Sequence, residues 1–355
     1  MSVGRPTILF FNINGAGLGH MSTCLAYAHR LRRHARPVFF SLAAAIERIH
    51  EMGFEADYLV SPSWSRARHR HWDQQLGPRL GILLERARPE VIVFDGTWPF
   101  HGLLHAAAAY GLPRIVWSDL TMYKADMHEV PVSESCFDLV IRLGEIGDEL
   151  EVSREARPGR SVRVPPVTLL RDEELLDRSA ARAALGLDAA KRYALVSLGA
   201  GNLHDHGDIA RGLTEELRAR GLEVAYARAP ISVRDVSLPA DVRPIDLYPL
   251  VRYLRAFDVF VGAAGYNTGT EIVQSGVPSL LVPNKAAADD QARRAAAVAR
   301  HARAVVSSCR TRRDRVEAVD EVLSLLEVDP PPRPPLDGAD RAAEEILALC
   351  GEAER

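Results

Sequence analysis

The sequence predicts an α/β protein built from two doubly wound domains. Short apolar runs that suit buried parallel strands alternate with helical segments in the first third of the chain, and this alternation restarts at residue 193. The chain has 355 residues, which is enough for two domains. Residues 156–174 are rich in proline and charge, as expected where a chain crosses between domains. We therefore predict an N-terminal domain over residues 1–165 and a C-terminal domain over 166–339.

Composition narrows the class of protein. An apolar fraction of 47% and a charged fraction of 26% are typical of a globular protein in water, and the net charge of -3 argues against nucleic acid as a partner. No apolar run is long enough to span a bilayer, and residues 8–13 run into glycines instead of a signal-peptide cleavage site. Four widely spaced cysteines suit a reducing compartment, so we expect a cytoplasmic protein: Cys24, Cys136, Cys309 and Cys350.

The N-terminal half opens with a strand, a glycine turn and a helix. The predicted strand covers residues 7–13, and the helix covers residues 21–33. The spacing of the glycines is not that of a dinucleotide fingerprint, and the next strand, 38–40, ends at Ser41 instead of an acidic residue. The sequence therefore argues against NAD. The turn contains Gly15, Gly17 and Gly19.

His20 stands where this turn becomes the helix, and Asp95 follows the next predicted buried strand, 90–94. Because strand carboxyl ends meet at one edge of a parallel sheet, we expect both residues there, with His20 as a general base that Asp95 orients. Two plain alternatives remain: a solvent-facing histidine at a helix start, and a turn aspartate before Gly96. Asp119, after the strand 115–117, is a competing candidate.

Residues 61–79 are basic, aromatic and without clear period. They are expected to form a loop that either contributes to substrate specificity or is simply a solvated charged loop. The histidine pairs nearby have no third ligand close in sequence, so no metal site is predicted: His69 and His71, His101 and His105.

In the C-terminal half, the predicted strand 193–198 runs into a glycine turn suited to phosphate or ribose, formed by Gly199, Gly201 and Asn202. A helix is expected over 208–220, strands over 223–227 and 242–245, and a last helix over 339–352 after a proline-rich spacer. These elements repeat the alternation of the first half.

The most informative stretch is 257–291. It reads as a strand at 259–262, a turn between Gly262 and Gly265, a helix capped by Asn267 or Thr268, and a strand at 279–282. A helix start after a glycine turn is suited to phosphate. Gly265 would admit a ligand closely, Thr268 would add a hydroxyl, and Glu271 would accept ribose hydroxyls. Asp290 and Gln291, just past the last strand, would receive sugar hydroxyls. Thr268 and Glu271 also fit a capping box, which needs no ligand.

This stretch resembles the donor-binding signature of GT-B glycosyltransferases. Gly265-Tyr266-Asn267-Thr268 with Glu271 resembles the Gly-Trp-Asn-Ser…Glu core of the UDP-glycosyltransferase family. Four further positions resemble MurG-type enzymes: Gly276, Pro278, Pro283 and Gln291. The resemblance implies that Asn267 and Thr268 contact phosphate, that Glu271 holds ribose, and that Asp290 and Gln291 hold the sugar. Two positions depart from the pattern, because Ala263 stands where a histidine is frequent and Arg294 where an asparagine is common.

The same resemblance implies the wider organisation. It implies two Rossmann-like domains with a cleft between them and a C-terminal helix, residues 340–355, that crosses back onto the first domain. The loop around Leu247 would hold the nucleotide base through its backbone, and Gly199, Gly201 and Asn202 would contact the donor. Gly17, Gly19 and Asp119 would lie on the acceptor side.

The implied function is that of an inverting glycosyltransferase of the hexosyltransferase type. Its donor would be a UDP-sugar, or a dTDP-sugar as second candidate, and its acceptor a hydroxyl or amine of a small or lipid-linked molecule. No Asp-x-Asp motif is evident, so neither a metal nor a cofactor is expected beyond the nucleotide sugar as co-substrate. Peripheral contact with a membrane is left open. The alternatives are a UDP-sugar hydrolase or 2-epimerase of the same fold, and a non-catalytic sugar-nucleotide-binding module.

Overall fold

The structure is a computed structural model. It describes residues 4–13, 17–66, 68–111, 113–120, 134–148, 160–199, 206–232, 236–284 and 289–351. The chain forms two compact units. Unit 1 comprises Met1–Gly144, Val152–Leu169 and Asp337–Arg355, and unit 2 comprises Glu145–Glu151 and Leu170–Leu336.

Unit 1 is built on a parallel sheet of seven strands in the order β3-β2-β1-β4-β5-β6-β7. Its strands are β1 (Thr7–Asn12), β2 (Arg36–Ser41), β3 (Glu55–Tyr58), β4 (Val91–Asp95), β5 (Arg114–Leu120), β6 (Leu139–Leu143) and β7 (Ser161–Val164). Its helices are α1 (Gly19–Leu31), α2 (Glu47–Glu51), α3 (Pro62–Ser65), α4 (His69–Ala87), α5 (His101–Ala109) and, from the end of the chain, α11 (Gly338–Gly351). The strand order reverses between β1 and β4, and ligands of doubly wound sheets bind at this switch point.

Unit 2 repeats the design with a parallel sheet in the order β10-β9-β8-β11-β12-β13. Its strands are β8 (Tyr193–Ser197), β9 (Glu223–Ala227), β10 (Arg243–Ile245), β11 (Val259–Gly262), β12 (Ser279–Leu281) and β13 (Ala304–Val306). Its helices are α6 (Arg178–Leu185), α7 (Gly207–Ala219), α8 (Tyr266–Ser275), α9 (Gln291–His301) and α10 (Arg312–Ser324). The switch point lies between β8 and β11, so the glycine turns after these two strands leave the same edge of the sheet.

The central strands are covered on both faces, which explains their uniformly apolar composition. In β1, Leu9 and Phe11 pack in the cluster that includes Trp72 and Leu76 of α4, whereas Phe10 stacks on Phe39 with ring centroids 5.3 Å apart. The predicted α/β class and the two doubly wound domains are confirmed.

The C-terminal helix packs on unit 1, as predicted. On α1, the buried guanidinium of Arg30 donates to Asp340 at 3.2 Å and to the carbonyl of Leu169 at 2.6 Å. A Cβ atom on Gly338 would lie 1.8 Å from the carbonyl oxygen of Pro165, so only glycine permits this approach. Ala342 and Ile346 are completely buried.

Three local predictions are wrong. Residues 61–79 are not an irregular loop, because they contain α3 and the first half of α4. The segment 156–174 is not only a linker, because Ser161–Val164 adds β7 to the sheet. Helix α8 begins at Tyr266 with Gly265 as its N-cap, two residues earlier than predicted. Thr268 is therefore inside the first turn, and neither it nor Asn267 caps the helix.

Among the described residues, no helix combines the length and apolarity that crossing a bilayer requires.

Candidate active site

In unit 1, His20 and Asp95 meet at the carboxyl edge of the sheet. His20 is the second residue of α1, and Asp95 is the last residue of β4. His20 Nδ1 lies 2.6 Å from Asp95 Oδ1, and the side chains are 17% and 2% exposed respectively. The carboxylate is thus buried, while the imidazole keeps contact with solvent.

This contact determines which imidazole nitrogen is available. An ionised carboxylate only accepts hydrogen bonds, so Nδ1 of His20 carries the hydrogen that Asp95 accepts. The neutral imidazole then has its lone pair on Nε2. A histidine held in this tautomer by a buried carboxylate has the arrangement of a general base.

Two residues that sequence reasoning missed lie behind Asp95. Ser118 in β5 donates from Oγ to Asp95 Oδ2 at 2.6 Å, and Tyr27 OH of α1 lies 3.1 Å from Ser118 Oγ. Burial, followed by the nearby charge of Asp95, raises the pKa of the Cys24 thiol well above its usual value. This cysteine is therefore a neutral neighbour of the pair.

Of the other acceptor-side candidates, Asp119 lies elsewhere than predicted, whereas Gly17 and Gly19 lie at the start of α1. Asp119 is not in a loop: it lies in β5, is completely buried, and accepts from Arg142 at 3.0 Å. Its carboxylate balances a partly buried guanidinium that also binds Glu134. Gly19 is the first residue of α1, and Gly17 lies in the bend just before it.

In unit 2, the turn between β11 and α8 brings the predicted phosphate-binding residues to a helix start. Helix α8 begins after the N-cap Gly265, which has no side chain to cap it, and Asn267 and Thr268 occupy its first turn, partly buried. A Cβ on Gly262 would lie 2.4 Å from the ring of Phe260, so packing requires glycine there. Gly265 differs, since its φ of -68° suits any residue and, among the described residues, a Cβ would meet only Thr268 Oγ1, at 4.0 Å. The fold itself does not require glycine at position 265.

Glu271 lies one turn further along α8. Its carboxyl is partly buried and makes no hydrogen bond or ion pair with the part of the chain that the structure describes. Removal from water raises its pKa to about 8. An unpartnered carboxyl in such surroundings is suited to accept hydroxyl donors of a ligand.

The loop after β12 joins other predicted donor residues. Gln291 Oε1 accepts from the backbone N–H of Asn284 at 2.9 Å, and Asn284 Nδ2 reaches the carbonyl of Leu198 at 3.3 Å, next to Gly199. Within the described part of the chain, the amide N–H groups of Gln291 have no partner, so they are available to a ligand. Asp290 caps α9 by accepting from the N–H of Arg293 at 3.1 Å, so one of its oxygens has a structural role. The link through Asn284 was not predicted, because it depends on the packing of two loops.

Of the remaining residues predicted to bind the donor, the structure describes Leu247 and Gly199. Leu247 is partly buried, two residues after β10. Gly199 adopts a φ of +86°, a left-handed conformation that favours glycine. Gly201 and Asn202 lie outside the described residues.

Arg294, one of the two departures from the signature, is buried and fully engaged. It donates to both oxygens of Glu145 at 2.8 and 2.5 Å, to Asp289 at 2.6 Å, and to the carbonyl of Ala264 at 3.4 Å. Its guanidinium also lies over the ring of Tyr266, 5.9 Å from the centroid. Arg294 thus connects α9 to the turn before α8. Within the described ranges, no group of three or more potential metal ligands is found.

Comparisons with known proteins bear on the family and the fold of the chain. Residues 219–328 match the model of the glycosyltransferase family 28 C-terminal domain. Over 210 residues, the chain is 24% identical to the UDP-N-acetylglucosamine–N-acetylmuramyl-(pentapeptide) pyrophosphoryl-undecaprenol N-acetylglucosamine transferase of Bacillus licheniformis. That match covers 57% of this chain and 55% of the relative, so it spans about half the length of the curated protein.

Two solved structures resemble the whole chain. Spinosyn rhamnosyltransferase SpnG complexed with thymidine diphosphate superposes with a TM-score of 0.59 at 17% identity and covers 98% of this chain and 96% of its own. MurG of Acinetobacter baumannii superposes with a TM-score of 0.54 at 13% identity and covers 97% and 100%. The chain accordingly has the GT-B fold, and its residues 219–328 are similar to a glycosyltransferase family 28 C-terminal domain.

Proposed function

We propose that this protein is a glycosyltransferase that moves a hexose from a nucleoside diphosphate sugar to a hydroxyl or amine, with inversion at the anomeric carbon. The observation that carries the proposal is the contact between His20 and Asp95, at 2.6 Å, in a chain whose other unit matches a glycosyltransferase domain. A binding module without catalysis has no need of a buried carboxylate that orients an accessible imidazole.

The proposed reaction is a direct displacement. His20 Nε2 takes the proton of the acceptor hydroxyl, the acceptor oxygen forms a bond to the anomeric carbon, and the bond from that carbon to the diphosphate oxygen breaks. Asp95 stabilises the imidazolium as it forms. The start of α8 stabilises the leaving diphosphate through its N–H groups and helix dipole.

Unit 2 would hold the donor. Asn267 and Thr268 would bind phosphate, Glu271 would accept the ribose hydroxyls, and Asp290 and Gln291 would contact the sugar. The backbone around Leu247 and the turn at Gly199, Gly201 and Asn202 would hold the rest of the nucleotide. Ala263 has no imidazole to bind the diphosphate, so the backbone N–H groups at the start of α8 would bind it in this chain.

We propose a UDP-sugar as the donor and a dTDP-sugar as the second candidate. The Bacillus licheniformis relative is named for UDP-N-acetylglucosamine, and the SpnG structure contains thymidine diphosphate. The acceptor is proposed to be a small or lipid-linked molecule. Since α8 supplies the charge stabilisation, we propose that transfer needs no metal ion, and chelation with EDTA should leave its rate unchanged.

A panel of nucleoside diphosphates and their sugars tests the donor assignment. A ligand present at 100 times its Kd stabilises the folded state by about 2.7 kcal/mol, which a thermal-shift assay detects. UDP or dTDP should raise the melting temperature, whereas ADP and GDP should not. If none of the nucleotides stabilises the protein, the assignment of unit 2 as a donor site is wrong.

Incubation with donor alone separates transfer from the alternatives. A transferase releases nucleoside diphosphate slowly until an acceptor is added, whereas a hydrolase releases it rapidly and a 2-epimerase changes the sugar. Rapid release of free sugar without acceptor would replace the transferase proposal by the hydrolase one.

A further inference from the structure

A chain of buried polar groups continues behind the His20–Asp95 pair. Asp95 uses Oδ1 for His20 and Oδ2 for Ser118, each at 2.6 Å, and Tyr27 OH lies 3.1 Å from Ser118 Oγ. Asp95 and Ser118 are 1% exposed, and Tyr27 is completely buried. Four side chains thus form one continuous hydrogen-bonded chain that ends at the solvent-accessible imidazole.

The direction of each hydrogen bond follows from chemistry. The carboxylate of Asp95 only accepts, so Ser118 donates its hydroxyl hydrogen to Oδ2. Ser118 then has no hydrogen left for Tyr27, and the phenol of Tyr27 must donate to Ser118 Oγ. Every donor therefore points toward the carboxylate, which is the arrangement that best stabilises its negative charge.

The fold builds this chain from three elements. Asp95 and Ser118 are register partners on the parallel strands β4 and β5, so their side chains leave the same face of the sheet. His20 and Tyr27 are seven residues apart on α1, two turns along one face of the helix. Helix α1 thus supplies both ends of the chain of hydrogen bonds, and the sheet supplies its middle.

We propose that Ser118, supported by Tyr27, is a positioning residue for the proposed base His20, a role that rests on the proposed function. Without Ser118, Oδ2 of Asp95 would be buried with no donor in this chain of hydrogen bonds, and the carboxylate would turn to find one. That rotation would move Oδ1 away from Nδ1 and release the imidazole from the tautomer that has its lone pair on Nε2. Cys24, on α1 and also near Asp95, is kept neutral by burial and offers no charge in replacement.

Three substitutions and a control test this role. Ser118→Ala removes the donor to Asp95, Ser118→Thr keeps a hydroxyl, and Tyr27→Phe removes only the phenolic hydroxyl. Ser41→Ala is the matched control, since Ser41 is equally buried and accepts from Asn12 at 3.0 Å and from the N–H of Ala43 at 3.1 Å. Its loss costs two hydrogen bonds in the same sheet but none to Asp95 or His20.

Misplacement of a reacting group by 1 Å can cost about 10²-fold in rate, so Ser118→Ala should lower kcat by roughly 10-fold to 10²-fold and leave the donor Kd unchanged. Ser118→Thr should restore most of kcat, and Tyr27→Phe should lower it less than Ser118→Ala. Ser41→Ala should leave kcat unchanged. A purely structural role would instead lower the melting temperature in Ser118→Ala and Ser41→Ala alike, without a specific effect on kcat.

A second readout needs no substrate. The Nδ1–H resonance of His20, identified in ¹⁵N-histidine-labelled protein by its absence in His20→Gln, reports the hydrogen bond to Asp95. Ser118→Ala and Tyr27→Phe should shift this resonance, and Ser41→Ala should not. If the wild-type protein transfers no sugar but the resonance responds, the proposed function fails and the positioning role stands. If Ser118→Ala and Tyr27→Phe leave both the resonance and kcat unchanged, the positioning role is overturned.

Discussion

At the scale of single residues, the proposed chemistry concentrates on the imidazole of His20. General-base assistance contributes about 10²–10⁴-fold in rate, so His20→Ala should lower kcat by that range and leave donor affinity nearly unchanged. Asp95→Asn should also lower kcat, because the imidazole loses the carboxylate that orients it. The two losses should not add, since the residues act as a unit. A double-mutant cycle on kcat measures this, and full additivity would contradict the pair.

Glu271 gives a prediction about protons. Burial raises its pKa to about 8, so at pH 7 the carboxyl is mostly protonated. Ribose hydroxyls donate more strongly to the carboxylate than to the acid, so binding of UDP at pH 7 should release up to about one proton. Calorimetry in two buffers of different ionisation enthalpy measures the release. Glu271→Gln should abolish it, and an unchanged release in that variant would remove Glu271 from the ribose site.

The same group provides a control through stability. Its pKa in the folded state is raised above the ordinary value of 4.5, so the folded state binds the proton more tightly than the unfolded chain does. The free energy of unfolding that this group contributes is complete below about pH 4.5 and is lost as pH rises through 8. Glu271→Gln should therefore reduce the loss of stability between pH 5 and 8 without ligand.

At the scale of elements, two glycines before α8, Gly262 and Gly265, differ in whether the fold requires glycine at their positions. Gly265 has a backbone conformation open to any residue, and among the described residues a Cβ there would meet Thr268 Oγ1 at no less than 4.0 Å. Gly265→Ala should thus leave stability within about 0.5 kcal/mol of wild type, as for neutral substitutions. It should weaken UDP binding at least several-fold, because the methyl group would occupy the position proposed for the diphosphate. Gly262→Ala is the contrasting variant, since its Cβ collides with Phe260 and should destabilise the protein itself. Calorimetry measures the UDP affinity of each variant. If Gly265→Ala binds UDP as tightly as the wild type does, the diphosphate does not bind beside Gly265.

The connection of α9 to the turn before α8 depends on a buried ion pair. Arg294 and Glu145 have side chains that are each 1% exposed. Removal of one partner of such a pair leaves the other charge buried, so Glu145→Ala should cost roughly 3–5 kcal/mol of stability in unit 2. The exposed pair Arg313–Glu317 is the control, and Glu317→Ala should change stability little. Denaturant unfolding, followed by hydrogen exchange in unit 2, measures the stability of both variants. If Glu145→Ala changed stability as little as Glu317→Ala, the buried ion pair of Arg294 with Glu145 would not stabilise unit 2.

At the scale of the whole molecule, unit 1 combines the N-terminal part of the chain with its C-terminal helix α11. Helix α11 covers α1, and Arg30 of α1 holds both Asp340 and the carbonyls of Thr168 and Leu169. The apolar face of α11 includes Ala339, Ala342 and Ile346, all completely buried. Unit 1 is therefore not contiguous in sequence.

Deletion of residues 338–355 should destabilise unit 1 selectively. It exposes apolar surface of α1 and leaves the guanidinium of Arg30 without its carboxylate. Hydrogen exchange monitored by mass spectrometry should show lost protection in β1, β4 and α1 and retained protection in β8 and β11. Glu344→Ala, on the exposed face of α11, is the control and should leave both units protected. Equal loss of protection in both units would contradict the assignment of α11 to unit 1.

The α/β class, the two doubly wound sheets and most strands could be predicted from sequence alone, because buried parallel strands appear as short apolar runs between helical segments. The sequence also indicated that His20 and Asp95 share an edge of the sheet, since each follows such a run and parallel strands end together. The glycine turn before α8 was recognised from the same local signals. Its helix starts two residues earlier than the polar residues suggest, because Gly265 serves as N-cap without any side-chain bond.

The partners of the polar groups could not be predicted from sequence patterns, because they depend on how distant elements pack together. Helix α4 was not predicted, because Pro78 and a basic first turn make its sequence look irregular. Its apolar face, formed by Trp72, Leu76 and Leu80, packs in the core of unit 1. Asp119 pairs with Arg142 instead of facing a substrate, because β5 and β6 align in register. The donation from Ser118 to Asp95 likewise depends on the register of β4 and β5. Sequence patterns report each element's own exposure, whereas hydrogen bonds and ion pairs between elements depend on how distant segments are aligned.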